Sequence, residues 1–213
     1  MNKRLEIIAS SVSKCEVMAD IGCDHGYVSK LVLENGTAQK VIIADVSKKC
    51  LQKAEKLLQS YIQKGLCTSV CCNGFGENIV CDCAVIAGMG GEETISILKK
   101  AKLLPTSLVL QPMKNADKVR DYLQNNGYKI IKDKVFSDEN KFYDLIVCTK
   151  GKDTLTSEEI EFGRDNIKEL NKDFICKLKR EEEQLKDILE KKELSNDSKN
   201  QIQERLKRIK KYV

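Results

Sequence analysis

Short apolar runs alternate with longer amphipathic stretches through roughly the first 150 residues of the chain. The apolar runs are rich in β-branched residues, and this alternation predicts a parallel sheet covered by helices. Seven strands are predicted, at residues 16–22, 40–46, 68–72, 82–88, 107–112, 128–136 and 142–150. Helices are predicted near residues 26–35, 47–64, 91–101 and 115–126, with Ser47 and Asn115 as N-caps. Because only a short connection joins the last two strands, they should pair antiparallel. The fold class predicted is therefore α/β, a doubly wound and mostly parallel sheet of seven strands.

The pattern changes after residue 151. From residue 157 to residue 193 the chain has no proline and many charged residues, and its apolar residues recur at helical spacing. A break at residues 195–198 precedes a second amphipathic stretch, which favours an antiparallel helical hairpin of the coiled-coil type. The alternative is an amphipathic appendage that packs on the first domain. We predict a first domain at residues 1–151 and a helical extension at residues 152–213.

Composition narrows the class of protein. Hydrophobic residues make up 41% of the chain, enough for a real core, and the first residues contain no apolar run typical of a signal peptide or membrane span. We therefore expect a cytoplasmic protein with reduced thiols. Its ten cysteines include a group between residues 67 and 83, but that group lacks the C-x2-C pair typical of structural zinc. No metal site is predicted, and the cysteines are interpreted as small apolar residues.

The positive charge is concentrated at one end of the chain. Residues 199–213 contain six basic residues and one acidic residue, which equals the net charge of +5 of the whole chain. Such a basic segment suits a polyanion such as RNA, and it is equally typical of a solvated helix face. Lys207 and Arg208 are candidate RNA ligands within it.

A glycine-containing loop, ADIGCDHGYVS (residues 19–29), joins the first strand to the first predicted sheet helix. Doubly wound folds bind nucleotides at this point. A dinucleotide loop needs G-x-G-x-x-G so that the backbone can approach a pyrophosphate, yet Asp24 occupies the second glycine position after Gly22. A carboxylate there disfavours phosphate. It is compatible with S-adenosylmethionine, which has no phosphate and carries a sulfonium cation and an amino group.

Three further segments fall where this cofactor would need them. Asp45 ends the second strand, where an acidic residue accepts hydrogen bonds from ribose hydroxyls. NGFGEN (residues 73–78) follows the third strand near the expected adenine edge, and IAGMGG (residues 86–91) follows the fourth at the mouth of the pocket. Each has a structural alternative, because Asp45 can cap the next helix and glycines often only form turns. The predicted cofactor-binding residues are Asp20, Gly22, Gly26, Asp45, Val46, Asn73, Gly74, Gly88 and Met89.

Several segments resemble a known family, the bacterial tRNA methyltransferases that modify N1 of adenine 22. The resemblance is carried by KRLEIIASSV (residues 3–12), ADIGCDHGYVS, IAGMGG, LQPM (residues 110–113) and NKFYDLIVCTKG (residues 140–151), and it extends into the helical part. It implies a Rossmann-like class I methyltransferase that acts on tRNA. The chain departs from the family's usual residues at Gly26, Asp45, Asn73 and Met113 and in EFGR (residues 161–164), and Met113 replaces an amide that would contact the base.

The resemblance suggests roles for further residues. Asp24 is the candidate catalytic carboxylate, which would stabilise the cationic methylated adenine or accept its amine proton; alternatively it binds the cofactor's amino group. The neighbouring His25 is more readily interpreted as structural.

N1 of adenine lies on the Watson–Crick edge, so a paired adenine must leave its stack, and aromatic side chains then help to hold it. The predicted substrate-binding residues are Tyr27, Gly90, Gln111, Pro112, Tyr143, Lys207 and Arg208.

Two other functional classes remain open. The same cofactor can serve a methyltransferase that acts on another RNA base, a small molecule or a protein. The chain can also be a non-catalytic RNA-binding protein with a vestigial cofactor pocket.

Overall fold

The computed structural model describes residues 2–191 and 194–213. Residue 1 of the predicted first domain and residues 192 and 193 of the predicted long helix lie outside the described residues. The helices are α1 (Lys3–Ser10), α2 (Tyr27–Glu34), α3 (Lys48–Leu57), α4 (Gln59–Gln63), α5 (Gly91–Lys100), α6 (Ala116–Asn125), α7 (Ser157–Phe162), α8 (Arg164–Glu169), α9 (Lys172–Lys191) and α10 (Asn196–Ile209). The strands are β1 (Cys15–Ile21), β2 (Ala38–Asp45), β3 (Cys67–Cys71), β4 (Cys83–Ala87), β5 (Ser107–Gln111), β6 (Tyr128–Asp138) and β7 (Lys141–Lys150).

The strands form one sheet in the order β3-β2-β1-β4-β5-β7-β6. The first five pair in parallel, and β7 is antiparallel to both of its neighbours, β5 and β6. Every predicted strand is confirmed, with ends shifted by at most two residues. The predicted fold class, a doubly wound and mostly parallel sheet of seven strands, is confirmed as well.

Apolar side chains cover both faces of the sheet, because successive residues of a strand point to opposite sides. Met18 packs with one buried cluster, which includes residues of α1, α2 and α3. Its neighbour Ala19 packs with a second cluster, which includes residues of α5 and α6. Burial on both faces explains why the central strands are continuous apolar runs rather than alternating ones.

Three predicted helices differ in detail. The stretch at residues 47–64 forms two helices, α3 and α4, which meet at the fully buried Leu58. Ser47 caps α3 as predicted, since its side chain accepts a hydrogen bond from the Cys50 amide. Asn115 precedes α6 but makes no side-chain cap bond, because its backbone is left-handed. The long stretch from residue 157 is interrupted at Gly163 and Leu170, both of which have positive φ.

The C-terminal helices pack on β6 at the edge of the sheet. Phe162, Phe174, Leu178 and Ile209 form a small core with Val135 of β6. α9 and α10 lie against each other as a hairpin, and the hairpin also packs on the first part of the chain, so features of both predicted arrangements are present. The division into residues 1–151 and 152–213 stays a prediction. Across the two described ranges, no helix has the length and apolar character of a membrane span.

A buried ionic network joins the sheet to these helices. Arg120 of α6 is fully buried and donates to both carboxylate oxygens of Asp133 in β6, at 2.8 and 2.9 Å. It also donates to the Ile160 carbonyl of α7 at 3.2 Å. Asp144 of β7 accepts from Arg120 at 3.2 Å and from Lys177 of α9 at 2.6 Å. Burial opposes ionisation of Asp144, but Lys177 and Arg120 outweigh it and lower the pKa of this carboxyl.

Candidate active site

A cavity of about 470 Å³ lies at the carboxyl ends of β1, β2 and β4. In the sheet, β1 lies between β2 on one side and β4 on the other, so the strand order reverses at β1. Ligands of doubly wound folds bind at such a reversal. Ten of the predicted site residues line this cavity: Asp20, Gly22, Asp24, Tyr27, Asp45, Val46, Asn73, Gly74, Gly88 and Met89.

Asp20 is the buried acid of the site. It stands near the end of β1, and one of its carboxylate oxygens accepts a hydrogen bond from the Ser29 hydroxyl at 2.6 Å. Burial raises the pKa of Asp20 from 3.8 to about 6; the Ser29 bonds oppose this rise and the nearby Asp45 adds to it. The Asp20 carboxyl therefore keeps its proton to a higher pH than an ordinary aspartate does.

Asp45 ends β2 and holds the glycine loop in place. Its two carboxylate oxygens accept from the backbone amides of Asp24 at 3.2 Å and of Ser47 at 2.7 Å. The side-chain cap of α3 comes from Ser47 rather than Asp45. Asp45 faces the cavity with lone pairs that can accept further hydrogen bonds.

Asp24 lies at the mouth of the cavity. Its side chain is 69% exposed, and its backbone has a φ of +47°, a left-handed conformation that Asp adopts more readily than most residues. The Nε2 atom of the neighbouring His25 is 3.7 Å from the Asp24 carboxylate. The His25 ring stacks on Tyr27, with 5.8 Å between ring centroids.

Glycine is required in two walls of the cavity. Gly22 has a φ of +75°, and a Cβ atom there would overlap the terminal methyl of Met89. Gly88 has a φ of +83°, and a Cβ atom there would lie 3.0 Å from the Arg4 guanidinium. Any side chain at either position would narrow the cavity where its two sides approach each other.

Two of the predicted glycines do not line the cavity. Gly26 has a φ of +75°, and a Cβ atom there would meet Ala54 and Leu58 at 3.0 and 3.1 Å. It thus lets the loop turn against α3 instead of facing a ligand. Gly90 is the N-cap position of α5, beside the Lys114 side chain.

Arg4 of α1 connects the cavity with Gln111 and Tyr143. Its Nε donates to the Gln111 side-chain oxygen at 2.6 Å, and its guanidinium carbon is 5.2 Å from the centroid of the Tyr143 ring. Burial lowers the pKa of Arg4, while Tyr143 and Asp138 oppose this effect. Gln111 and Pro112 are buried behind Arg4 rather than in the cavity wall. Tyr143 stacks on Phe136, with 5.5 Å between centroids.

Lys207 and Arg208 lie on α10, outside the cavity. The Arg208 guanidinium donates to Glu161 of α7 at 3.0 Å. Lys207 lines a separate shallow groove on α10 itself. The assignment of Lys207 and Arg208 as RNA contacts stays a prediction.

Sequence reasoning missed several cavity residues. Arg4, Cys72, Glu93 and Ile97 were not among the predicted site residues, although all four line the cavity. The apolar spacing of KRLEIIASSV is a helical signal that points to α1. Within the described residues, no group of three or more His, Cys, Asp or Glu side chains is arranged to hold a metal ion. The ten cysteines are free thiols.

The chain matches the family described as "Methyltransferase domain" over residues 1–146. It is similar to the tRNA (adenine(22)-N(1))-methyltransferase of Bacillus subtilis, with 28% identity over 159 residues, 71% of this chain and 66% of the relative. Its structure is similar to that of Streptococcus pneumoniae Sp1610 in complex with S-adenosyl-L-methionine, with a TM-score of 0.89 and 27% identity over 100% and 99% of the two chains. The structure of M. capricolum TrmK in complex with S-adenosyl-homocysteine gives a TM-score of 0.87 and 26% identity over 100% and 97%.

Proposed function

Because the chain belongs to the methyltransferase domain family, we propose that it transfers a methyl group from S-adenosylmethionine to N1 of an adenine in tRNA. The position proposed, adenine 22, rests on similarity to the Bacillus subtilis enzyme. The observation that carries the proposal is the cavity at the carboxyl edge of the sheet, with its acidic lining and its glycine walls. A tRNA substrate also favours a cytoplasmic location.

The charges of the cavity fit the chemistry of this cofactor. Four carboxylates line it, from Asp20, Asp24, Asp45 and Glu93. Among the described lining residues, Arg4 is the one lysine or arginine. A pyrophosphate would face four negative groups and one positive group. A molecule with a sulfonium, an ammonium and a single carboxylate has charges that match this lining.

The adenosine part of S-adenosylmethionine would bind to residues at the ends of β2 and β3. Asp45 would accept hydrogen bonds from the ribose hydroxyls, because its carboxylate faces the cavity at the end of β2. Val46, 74% exposed, offers an apolar surface for the base. Asn73 and Gly74 after β3 offer amide and backbone groups for the polar edge of adenine.

The amino-acid part of S-adenosylmethionine would bind near the ends of β1 and β4. Arg4 would pair with the carboxylate, since its Nη groups point along the wall near Gly88. Asp20 would pair with the amino group when it is ionised. Gly22 leaves room for the terminal methyl of Met89, and Gly88 leaves room for the Arg4 guanidinium, at the wall where the methyl group would meet the acceptor.

When bound, S-adenosylmethionine supplies a methyl group that a nucleophile can displace from sulfur. N1 of adenine has an in-plane lone pair, so alignment does much of the catalytic work. Methylation leaves the base cationic. Asp24, exposed at the mouth, would stabilise this charge or accept the proton of the exocyclic amine. Tyr27, 49% exposed and stacked on His25, offers a platform for a base that has left its stack.

Methyl transfer to an unmodified tRNA transcript, measured with labelled S-adenosylmethionine, tests the proposal. We expect one methyl group per tRNA, mapped by mass spectrometry to N1 of adenine 22. A transcript with guanine at position 22 is the matched control and should accept none. Cofactor binding without transfer to any tRNA would overturn the proposed substrate. Transfer to another nucleotide would overturn the assigned position.

A further inference from the structure

A second groove, of about 410 Å³, lies between the beginning of β7 and the helix α9. We call it the lateral groove; it is lined by Met113, Lys141, Phe142, Tyr143, Lys177, Arg180, Glu181 and Gln184. None of these residues lines the active-site cavity. Sequence reasoning singled out Tyr143 alone as a substrate contact.

The lateral groove adjoins the active-site cavity at two points. Tyr143 forms part of the groove, and its ring lies 5.2 Å from the guanidinium carbon of Arg4, which lines the cavity. Met113 also forms part of the groove, and its backbone amide donates at 2.8 Å to the carbonyl of Met89, another cavity residue. A strand that enters the cavity can therefore continue into the groove without crossing the body of the protein.

Two carboxylates at the groove, those of Asp144 and Glu181, are already ion-paired. Asp144 accepts from Lys177 at 2.6 Å. Glu181 accepts from both Arg205 Nε and Arg205 Nη2, at 2.7 and 2.9 Å. Neither carboxylate is left to repel an incoming anion at full strength.

Two cations of the groove have no acidic partner among the described residues. Arg180 donates only to the Asn140 carbonyl at 2.9 Å, and its guanidinium carbon lies 5.1 Å from the centroid of the Phe142 ring. Lys141 is exposed at the end of the β6–β7 turn and makes no ion pair there. Both are positioned to contact phosphates.

Apolar surface lies between these cations. Met113 is 53% exposed, and Phe142 and Tyr143 are half-buried. Single-stranded nucleic acid is bound by this combination, in which cations contact phosphates and flat or apolar side chains contact bases.

We propose that the lateral groove binds the tRNA strand next to the methylated adenine, with Arg180 and Lys141 on its phosphates. This inference rests on the proposed function and names the surface that positions its substrate. An adenine whose N1 reaches the cavity must leave its duplex, so its neighbouring nucleotides need a binding surface beside the mouth. The lateral groove provides such a surface, with cations for the phosphates and apolar side chains for the bases.

Charge reversal tests the proposal, with Arg180→Glu and Lys141→Glu as separate variants. Each should raise the KM for tRNA, and the Kd in direct fluorescence-anisotropy binding, by about tenfold or more at 0.1 M salt. The kcat and the affinity for S-adenosylhomocysteine should change by less than about threefold. The slope of log affinity against log salt should fall by about one for each lost phosphate contact.

Lys64→Glu is the matched control, because Lys64 is an exposed lysine just before β3, at the opposite edge of the sheet. It makes the same change in net charge as Lys141→Glu and should leave KM nearly unchanged. Arg180→Lys should recover most of the affinity, since it keeps the positive charge. Thermal unfolding checks that Arg180→Glu folds, and Lys141→Glu, at an exposed site, keeps the test valid if it does not.

The outcomes separate the two proposals. If wild-type protein methylates tRNA and both groove variants behave like Lys64→Glu, the groove assignment is wrong and the proposed function stands. If wild-type protein binds S-adenosylhomocysteine but neither binds nor methylates tRNA, the proposed function fails, and the groove assignment fails with it.

Discussion

Charged residues have different roles in the active-site cavity and on the C-terminal helices. In the cavity, Asp20 and Asp45 bond to a hydroxyl and to backbone amides, and no lysine or arginine among the described residues forms an ion pair with either. On the C-terminal helices, Glu161 pairs with both Arg205 and Arg208. The first region keeps charge available for a ligand, whereas the second uses it to hold helices together.

The comparison teaches that charge density in a sequence does not locate a binding site. The basic segment at residues 199–213 has the highest local charge of the chain, yet Arg205, Arg208 and Lys211 all form ion pairs. The cations of the lateral groove are fewer and stand in an ordinary stretch of sequence. What distinguishes Arg180 and Lys141 is their position in one groove with the apolar side chains of Met113 and Phe142, and only the fold reveals that.

Removing the buried cation of the ionic network should have the largest effect. Arg120→Leu leaves Asp133 buried without its cationic partner and leaves Asp144 with Lys177 alone, so we expect a loss of about 3–5 kcal/mol in the free energy of unfolding. Urea unfolding followed by circular dichroism measures it. The double variant Arg120→Leu with Asp133→Asn should recover part of the loss. A loss below about 1 kcal/mol would show that this network does not stabilise the fold as described.

Asp24→Asn should have the next largest effect, on turnover. Asn tolerates the left-handed backbone at this position, so the loop should keep its shape. We expect kcat to fall about 100-fold or more, with cofactor affinity within about threefold of the wild type. Asp117→Asn, an exposed acid of α6, makes the same chemical change away from the cavity and serves as control. Lost cofactor affinity with unchanged kcat at saturation would instead assign Asp24 to the amino group of the cofactor.

Ionisation of Asp20 should lower the stability of the folded protein and strengthen cofactor binding. Its pKa in the folded protein is about 6, above the ordinary 3.8, so the folded state binds this proton more tightly than the unfolded state. The contribution of Asp20 to the free energy of unfolding therefore falls as the pH rises from about 4 to about 6, by about 3 kcal/mol. Asp20→Asn should remove that loss and be the more stable protein at pH 8, yet bind S-adenosylhomocysteine more weakly there. Equal pH dependence of unfolding in both proteins would contradict the raised pKa.

The smallest change in stability is expected from a substitution on the C-terminal helices. Arg208→Ala removes one partly exposed ion pair, so the free energy of unfolding should change by less than about 1 kcal/mol. Binding of tRNA to the same variant sharpens the comparison. A loss of affinity greater than that of Arg180→Glu would mean that α10, as the basic segment first suggested, is the main RNA contact.

The sheet and half of the site were predictable for a simple reason. Periodicity locates strands, and in a doubly wound sheet the carboxyl ends of neighbouring strands meet at one edge. Asp20 lies near the end of β1, Asp45 ends β2 and Gly88 follows β4, so their convergence on the cavity followed from chain order alone. The local spacing of glycines and acids then indicated which cofactor the loop favours.

The rest depends on contacts between distant parts of the chain. Arg4 reaches the cavity because α1 folds back to the β6–β7 hairpin, where the Arg4 amide donates to Asp138 at 3.0 Å and the Lys3 ammonium to the Ser137 carbonyl at 2.8 Å. Those partners lie 134 residues apart in sequence, and no local pattern encodes their meeting. Glu161, the α7 partner of Arg205 and Arg208, lies 44 and 47 residues from them in sequence.

The central claim is that the cavity after β1 receives a phosphate-free, cationic adenosyl donor. Calorimetric titration with S-adenosylhomocysteine, alone and in the presence of excess NAD, measures this directly. The account predicts binding of one equivalent that NAD does not weaken, and loss of that binding in the variant Asp45→Ala. Tight binding of NAD in this cavity, with no displacement by S-adenosylmethionine, would contradict it.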